Sequence, residues 1–446
     1  MTTIDKTAAN SPNGKKSVHV TTLGCSKNTY DSEILMGQLQ MNHVPIIDSP
    51  EAADIIIVNT CGFIYPAKQE SIQAILEALE LKKQNHDLKV LVCGCLSSRY
   101  SHELRKMIPE VDQYFGTEDF GGIMKYLGLE KPAQEHLFES RLISTKPHFA
   151  YLKISEGCNH KCAFCSIPLM RGKHRSRPLE QIVDEAQILA SKGVREIILV
   201  AQDTTFYGLD LYRKQRIIDL LSILDQIEGF DWIRLHYTYP TTFQDELIDL
   251  IRDSSRIVHY IDIPIQHITD RMLKIMKRGG TSERICQILA NLKSRIPDVA
   301  LRTTLIVGHP GETDEDFKKL IHFVNEFRFD RLGAFVYSPE ENTAAYRLKP
   351  VPTELAELRY AELMEVQQNI SREKNREFVG KKITVLVDEI ELPTRTAFGR
   401  TYADSPEIDN EVIIENFPLS GKTGQFYRVK IDRSAEYELF GTLLEE

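Results

Sequence analysis

Short apolar runs alternate with stretches of helical period over most of the chain, and this alternation sets the expected architecture. SVHVTTLGC reads as a strand reaching Cys25, followed by a helix to about Gln40. ADIIIVNTC reads as a strand reaching Cys61, with a helix to about Gln84, and LKVLVCGC as a third strand reaching Cys95. VDQYFGTED adds one short strand. Strand and helix in turn imply a parallel α/β sheet. In such sheets the C-terminal strand ends line the ligand crevice, so the three cysteines are expected to converge at one rim.

After a weakly periodic stretch, a second alternating series begins with AYLKIS and a cysteine loop. A helix follows from about Pro178 to Lys192, and then come the strands REIILVAQD, WIRLHY, IVHYIDIPIQ, ALRTTLIVG and RLGAFVYS. Six such units imply a partial (β/α)6 barrel with its chemistry at the C-terminal strand ends. TELAELRYAELMEVQQNISREKNREF reads as a long connecting helix. Beyond Gly380, ITVLVDEI, RTAFGRTYAD, NEVIIEN and QFYRVKIDR read as short strands of a small antiparallel β-barrel. The expected divisions are a disordered tail (1–16), an N-terminal domain (17–130), a linker (131–148), the central barrel (149–352), a connecting helix (353–378) and the C-terminal barrel (379–446).

Composition changes this picture little. The net charge of −9 advertises no global nucleic-acid-binding field, and no apolar run is long enough to span a membrane. The first residues lack a signal-peptide core and a transit-peptide pattern, which implies a cytoplasmic protein. In that reducing setting the eight cysteines call for metal or catalysis rather than disulfides.

The chemistry centres on CNHKCAFC, where Cys158, Cys162 and Cys165 are spaced C-x3-C-x2-C. Thiolates suit iron–sulfur clusters or zinc. Three ligands on a 4Fe-4S cluster leave one iron open to chelate a small molecule. A structural zinc completed by His160 or His174 is the other reading, and inert core cysteines a third. Cys25, Cys61 and Cys95 form a second set of three. Cys93 competes with Cys95 and lies farther from the rim. Cys286, on an apolar helical stripe, reads as core.

C-x3-C-x2-C resembles the signature of the radical S-adenosylmethionine (SAM) superfamily. Both cysteine sets and the three-domain pattern together resemble the radical SAM methylthiotransferases, from about Ser17 to Leu444. The resemblance implies a flavodoxin-like N-terminal domain with an auxiliary 4Fe-4S cluster on Cys25, Cys61 and Cys95 (TLGC, NTCGF, GCL). It implies a radical SAM barrel with a 4Fe-4S cluster on Cys158, Cys162 and Cys165, and a C-terminal TRAM module. S-adenosylmethionine is implied as both methyl donor and radical source.

SEGCNHKCAFCSIPLMRGKHRSRP, AQDTTFYG and YSPEEN resemble the branch that modifies an aspartate of small-subunit ribosomal protein S-twelve. The alternative branch modifies a tRNA adenosine. Asn342, Ala344 and His309 depart from the usual pattern. Residues 376–446 carry 9 Lys and Arg against 14 Asp and Glu, a balance of −5 that suits a basic protein partner better than RNA. Expected partners are therefore that ribosomal protein and an external one-electron donor, with neither membrane nor direct nucleic-acid binding. A cluster- or zinc-binding adaptor without enzymatic activity is the remaining class. Candidate SAM contacts are Gln202 and Asp203 after the second barrel strand, Gln266 (with His267) after the fourth, and Gly308 and Glu312 after the fifth. The Gly308 loop is expected to let backbone approach adenine. Arg171 and Arg175 are candidates for cofactor or substrate contact. Phe149, Tyr151 and Phe164 read as packing residues.

Overall fold

The computed structural model describes residues 16–130 and 138–444. The chain forms two compact units. The first takes the described residues up to Ser144 together with Leu169–Gly172, and the second takes Thr145–Pro168 and everything described from Lys173 onward.

In the first unit, β1 (Val18–Thr22), α1 (Ser26–Met41), β2 (Ile55–Thr60), α2 (Tyr65–Gln84), β3 (Lys89–Gly94), α3 (Cys95–Met107), β4 (Gln113–Tyr114) and α4 (Phe120–Tyr126) follow in order. The parallel sheet runs β1-β2-β3-β4. A one-residue parallel bridge from Ile46 to Val18 adds a rudimentary strand beside β1. With it counted, the order is the flavodoxin-like 2-1-3-4-5, and the topological switch point falls between β1 and β2. Strand β2 (IIIVNT) is buried along its whole length because helices cover both faces of the sheet. One apolar cluster gathers Ile56, Val58, Ile75 and Val90 and the other gathers Leu35, Ile55, Ile57 and Leu91, so alternate residues of β2 feed opposite faces. Part of the expected linker, residues 131–137, lies outside the described residues, as does nearly all of the tail (1–15). Arg141 is held by the fully buried Glu33 of α1, with Nε–H donating at 2.9 Å.

The second unit opens with β5 (Phe149–Lys153), β6 (Ser155–Glu156), β7 (Arg175–Ser176), α6 (Leu179–Ser191), β8 (Glu196–Val200), α7 (Ile217–Leu224), β9 (Trp232–Leu235), α8 (Asp245–Asp253) and β10 (Ile257–Asp262), with α5 (Ile167–Arg171), between β6 and β7 in the chain, belonging to the first unit from Leu169 on. It continues with α9 (Asp270–Ile275), α10 (Ser282–Arg295), β11 (Ala300–Val307), α11 (Asp314–Phe327), β12 (Arg331–Val336) and α12 (Thr353–Arg376). The six-stranded sheet β5-β8-β9-β10-β11-β12 keeps chain order and pairs in parallel throughout, the open (β/α)6 barrel expected from the sequence. Phe149 and Tyr151 pack with Ile198 and Val200 in its core. Strand β10 stops at Asp262, short of the expected IPIQ, because Gln266 takes a left-handed backbone (φ 71°) and makes only an isolated bridge to Leu305.

The chain ends in a closed five-stranded barrel of β13 (Lys382–Glu391), β14 (Thr396–Arg400), β15 (Glu411–Ile414), β16 (Phe426–Ser434) and β17 (Glu438–Leu443), ordered β13-β14-β15-β17-β16. The sequence reading missed β17, whose pairing with β15 is parallel. Val385, Val387, Val412, Ile414, Val429 and Ile431 alternate inward to fill this barrel. Among the described residues no helix is long and apolar enough to cross a membrane.

Candidate metal centres

The three cysteines of the first unit arrive from three separate connections. Cys25 is the N-cap of α1, Cys61 follows β2 directly, and Cys95 is the first residue of α3. Each therefore lies just past its strand. Gly24 makes the approach possible: it sits at φ +93°, and a Cβ there would lie 2.9 Å from Cys61 Sγ and 2.7 Å from its Cβ. Ser71 holds the Cys61 backbone from both sides, accepting its N–H and donating to its carbonyl, each at 2.9 Å.

Asn28, fully buried, ties the rim together. Its Nδ2 donates to Leu23 O (2.7 Å) and Thr60 O (3.1 Å), while its Oδ1 accepts from Arg171 Nη2 at 2.5 Å. Arg171 also donates from Nε to Cys95 Sγ (3.3 Å) and from Nη1 to Asp31 Oδ2 (3.1 Å).

Burial pushes the Cys95 thiol up to about 12, against the pull of Arg171, and the Cys25 and Cys61 sulfurs add to the rise. Burial also raises Cys61, with Cys25 contributing. Burial opposes ionisation of Cys25 too, but Lys27, Arg171 and the backbone N–H groups of Asn28 and Lys27 outweigh it and lower the thiol below its ordinary value. The mutual influence of the three sulfurs marks them as one group. Cys93 is buried in the sheet core beside Ile57, Leu91 and Phe115, and burial raises its thiol well above the usual range.

In the second unit the cysteine loop is closed by the antiparallel pair β6–β7 and pinned by backbone bonds from Ala163 N to Met276 O (2.7 Å) and from Ala345 N to Ala163 O (2.8 Å). Burial pushes Cys158 up to about 11 and Cys165 up to about 12, with Cys162 raising both. His160 stacks on Tyr239 at 3.7 Å and bonds through Nε2 to Asp203 Oδ2 at 2.7 Å. The Arg278 guanidinium lies 3.9 Å from the centroid of the Tyr239 ring, and its Nη1 is 3.6 Å from Cys162 Sγ.

The remaining candidates are placed as follows. Asp203 is spent on the loop: besides His160 it accepts from Thr205 Oγ1 (2.6 Å) and Phe206 N (3.1 Å). Gln202 donates to Glu156 (3.0 Å) and leaves its buried Oε1 without a partner. His267 Nδ1 accepts from Ile268 N (2.9 Å), while its Nε2 faces Glu312 Oε1 at 3.4 Å. Glu312 accepts from Gly308 N (2.8 Å) and pairs with Arg359 (2.7 Å), so its carboxylate braces its own loop. At Gly308 the space its missing Cβ leaves is taken by Ala356 of α12. Arg171 belongs to the first unit and its cysteine set. Arg175 pairs with Glu156 across the β6–β7 ladder. Cys286 is half-buried, whereas the buried stripe of α10 is Ile285, Ile288, Leu289 and Leu292; the core expectation is corrected accordingly.

The donor sets suit polynuclear clusters. A tetrahedral zinc with sulfurs at about 2.3 Å would draw them to roughly 3.8 Å from one another. Among the described residues, neither cysteine set closes to the 4.8 Å mutual spacing at which ligand atoms share one ion. His160 and His174 do not join such a group either, and His174 Nε2 instead meets Ser176 Oγ at 3.1 Å.

Comparison with known proteins agrees. The radical SAM superfamily pattern matches residues 152–324, an uncharacterized family (UPF0004) matches 17–116, and the TRAM domain matches 379–444. The solved radical SAM methyltransferase TsrM from Kitasatospora setae, with cobalamin and a 4Fe-4S cluster bound, aligns at TM-score 0.53 and 14% identity over 73% of this chain and 77% of its own. The cobalamin-dependent radical enzyme OxsB aligns at TM-score 0.53 and 16% identity, covering 80% of this chain and 56% of its own. These likenesses define the class as a radical SAM enzyme fold.

Much nearer in sequence are ribosomal protein uS12 methylthiotransferases (RimO). That of Christiangramia forsetii is 48% identical, covering 96% of this chain and 94% of its own. That of Flavobacterium johnsoniae is 49% identical over 96% and 98%, and that of Aquifex aeolicus 48% over 95% and 96%. The chain belongs to this methylthiotransferase family.

Proposed function

We propose that this enzyme attaches a methylthio group to the β-carbon of an aspartate in ribosomal protein uS12, using S-adenosylmethionine both as methyl donor and as radical source. Cys25, Cys61 and Cys95 hold an auxiliary 4Fe-4S cluster, and Cys158, Cys162 and Cys165 hold the radical SAM cluster. When bound, these clusters and S-adenosylmethionine supply the reductive cleavage, the hydrogen abstraction and the methylthio transfer. The observation that carries the reading is that each unit brings three cysteine sulfurs within electrostatic reach of one another, yet among the described residues on spacings too wide to share one ion.

The chain's own work is to hold and orient. Asp203 fixes His160, whose ring stacks on Tyr239 and so sets the loop bearing Cys158 and Cys162. The free Oε1 of Gln202 is offered to the amino group of S-adenosylmethionine, and Gln266, in the loop after β10, is a further contact. The division into 17–130, 149–352 and 379–446 assigns one cluster to each of the first two segments and partner docking to the last. The −5 balance of residues 376–446 favours the basic ribosomal protein over tRNA. An external one-electron donor and a cytoplasmic setting complete the reading.

Anaerobic metal analysis of the reconstituted protein tests it. About eight irons per chain are expected, about four after Cys25→Ala/Cys61→Ala/Cys95→Ala. One or two zincs in place of iron would overturn the assignment.

A further inference from the structure

We propose that Arg171 is a positioning residue of the first cysteine set, which holds Cys95 by an N–H···S bond and sets the charge felt by whatever those thiolates ligate. The inference rests on the cluster reading above. Two observations carry it. Arg171 is buried, at 6% exposure, so its charge acts through a poorly screened interior. Its guanidinium uses three different nitrogens on three fixed partners: Nε on Cys95 Sγ (3.3 Å), Nη1 on Asp31 Oδ2 (3.1 Å) and Nη2 on Asn28 Oδ1 (2.5 Å).

The fork geometry matters. Asn28 and Asp31 stand on α1, one turn apart, and their two oxygens orient the guanidinium so that the remaining Nε–H faces sulfur. Lysine carries the same charge as a point and has no such fork. Hydrogen bonds and positive charge near cluster sulfur stabilise the more negative, reduced state and raise its potential. Asp31 opposes that effect by partly neutralising the guanidinium. The segment that delivers Arg171, Leu169–Gly172, packs with the first unit, although it follows Cys165 of the second set by only a few residues in the chain. The arginine is thus a feature of the first site supplied by the second site's own loop.

The test is an EPR-monitored reductive titration of the first cluster in full-length protein carrying Cys158→Ala/Cys162→Ala/Cys165→Ala. In that background Arg171→Gln is expected to shift the midpoint potential to more negative values while iron stays at about four per chain. Arg171→Lys should recover part of the shift, and Asp31→Asn should move the potential the opposite way. An unchanged potential in Arg171→Gln with iron retained overturns the proposal. If Arg171→Gln loses its iron, Asp31→Asn decides: a positive shift supports the proposal and no shift overturns it. Absence of iron from the background protein with Arg171 intact would instead count against the cluster assignment itself.

Discussion

Replacing His309 with phenylalanine should flatten the pH dependence of stability of the second unit. His309 is fully buried between Phe164 and Tyr337; its Nδ1 meets Pro310 O at 2.9 Å and its Nε2 has no partner. Burial, above all else, pushes it from its ordinary 6.5 down to about 4. The unfolded chain therefore binds a proton here between those values and the folded chain does not, so stability rises with pH across the window. The contribution is fully present above about 6.5 and is lost as pH falls toward 4. The whole shift corresponds to about 3 kcal/mol, of which about 2 kcal/mol is lost by pH 5. For a unit of roughly 300 residues, with an unfolding entropy near 0.6 kcal/mol/K, that is about 3 °C in Tm. Anaerobic calorimetry of both proteins at pH 7 and pH 5 is the assay. Other titrating groups act equally on both, so the wild type should lose about 3 °C more than His309→Phe. Parallel losses would refute the reasoning.

Glu33→Gln leaves Arg141 buried opposite a neutral group, and should destabilise the first unit by roughly 3–5 kcal/mol in urea unfolding; a change under 1 kcal/mol would show that the pair is easily replaced. Cys95→Ala should lower iron content whereas Cys93→Ala should not, because only Cys95 lies at the rim with Arg171; metal analysis of the two variants separates them, and equal loss would contradict the assignment. Gly308→Ala meets both a left-handed backbone and Ala356, so a loss of about 2 kcal/mol is expected in thermal unfolding. Ala356→Gly should recover part of it in the double variant, and strict additivity would argue against the contact.

The parallel sheets and the terminal barrel were legible because strand and helix periods differ and because turn residues punctuate them. The cysteines of the first unit were legible for a further reason: each follows an apolar run, and strand ends in a parallel sheet share a rim, whereas Cys158, Cys162 and Cys165 stood out by their C-x3-C-x2-C spacing within one loop. What stayed hidden depends on packing between distant segments. Nothing local to IPLMRG says that Arg171 will reach Asn28, Asp31 and Cys95. Gly308 carries the same sequence signal whether its missing side chain makes room for a ligand or, as here, for Ala356. Cys286 sits one position off the buried stripe of α10, a rotation of about 100° that an apolar residue count does not resolve. The rudimentary strand at Ile46 is a single bridge, too short to leave a periodic trace, yet it completes the flavodoxin-like order.

The most direct measurement for the central claim is the mass of uS12 purified from cells with and without this enzyme. The account predicts a methylthio adduct on one aspartate of uS12 when the enzyme is present and the unmodified protein when it is deleted. An unaltered uS12 in the deletion, together with loss of a methylthio group from tRNA, would contradict it.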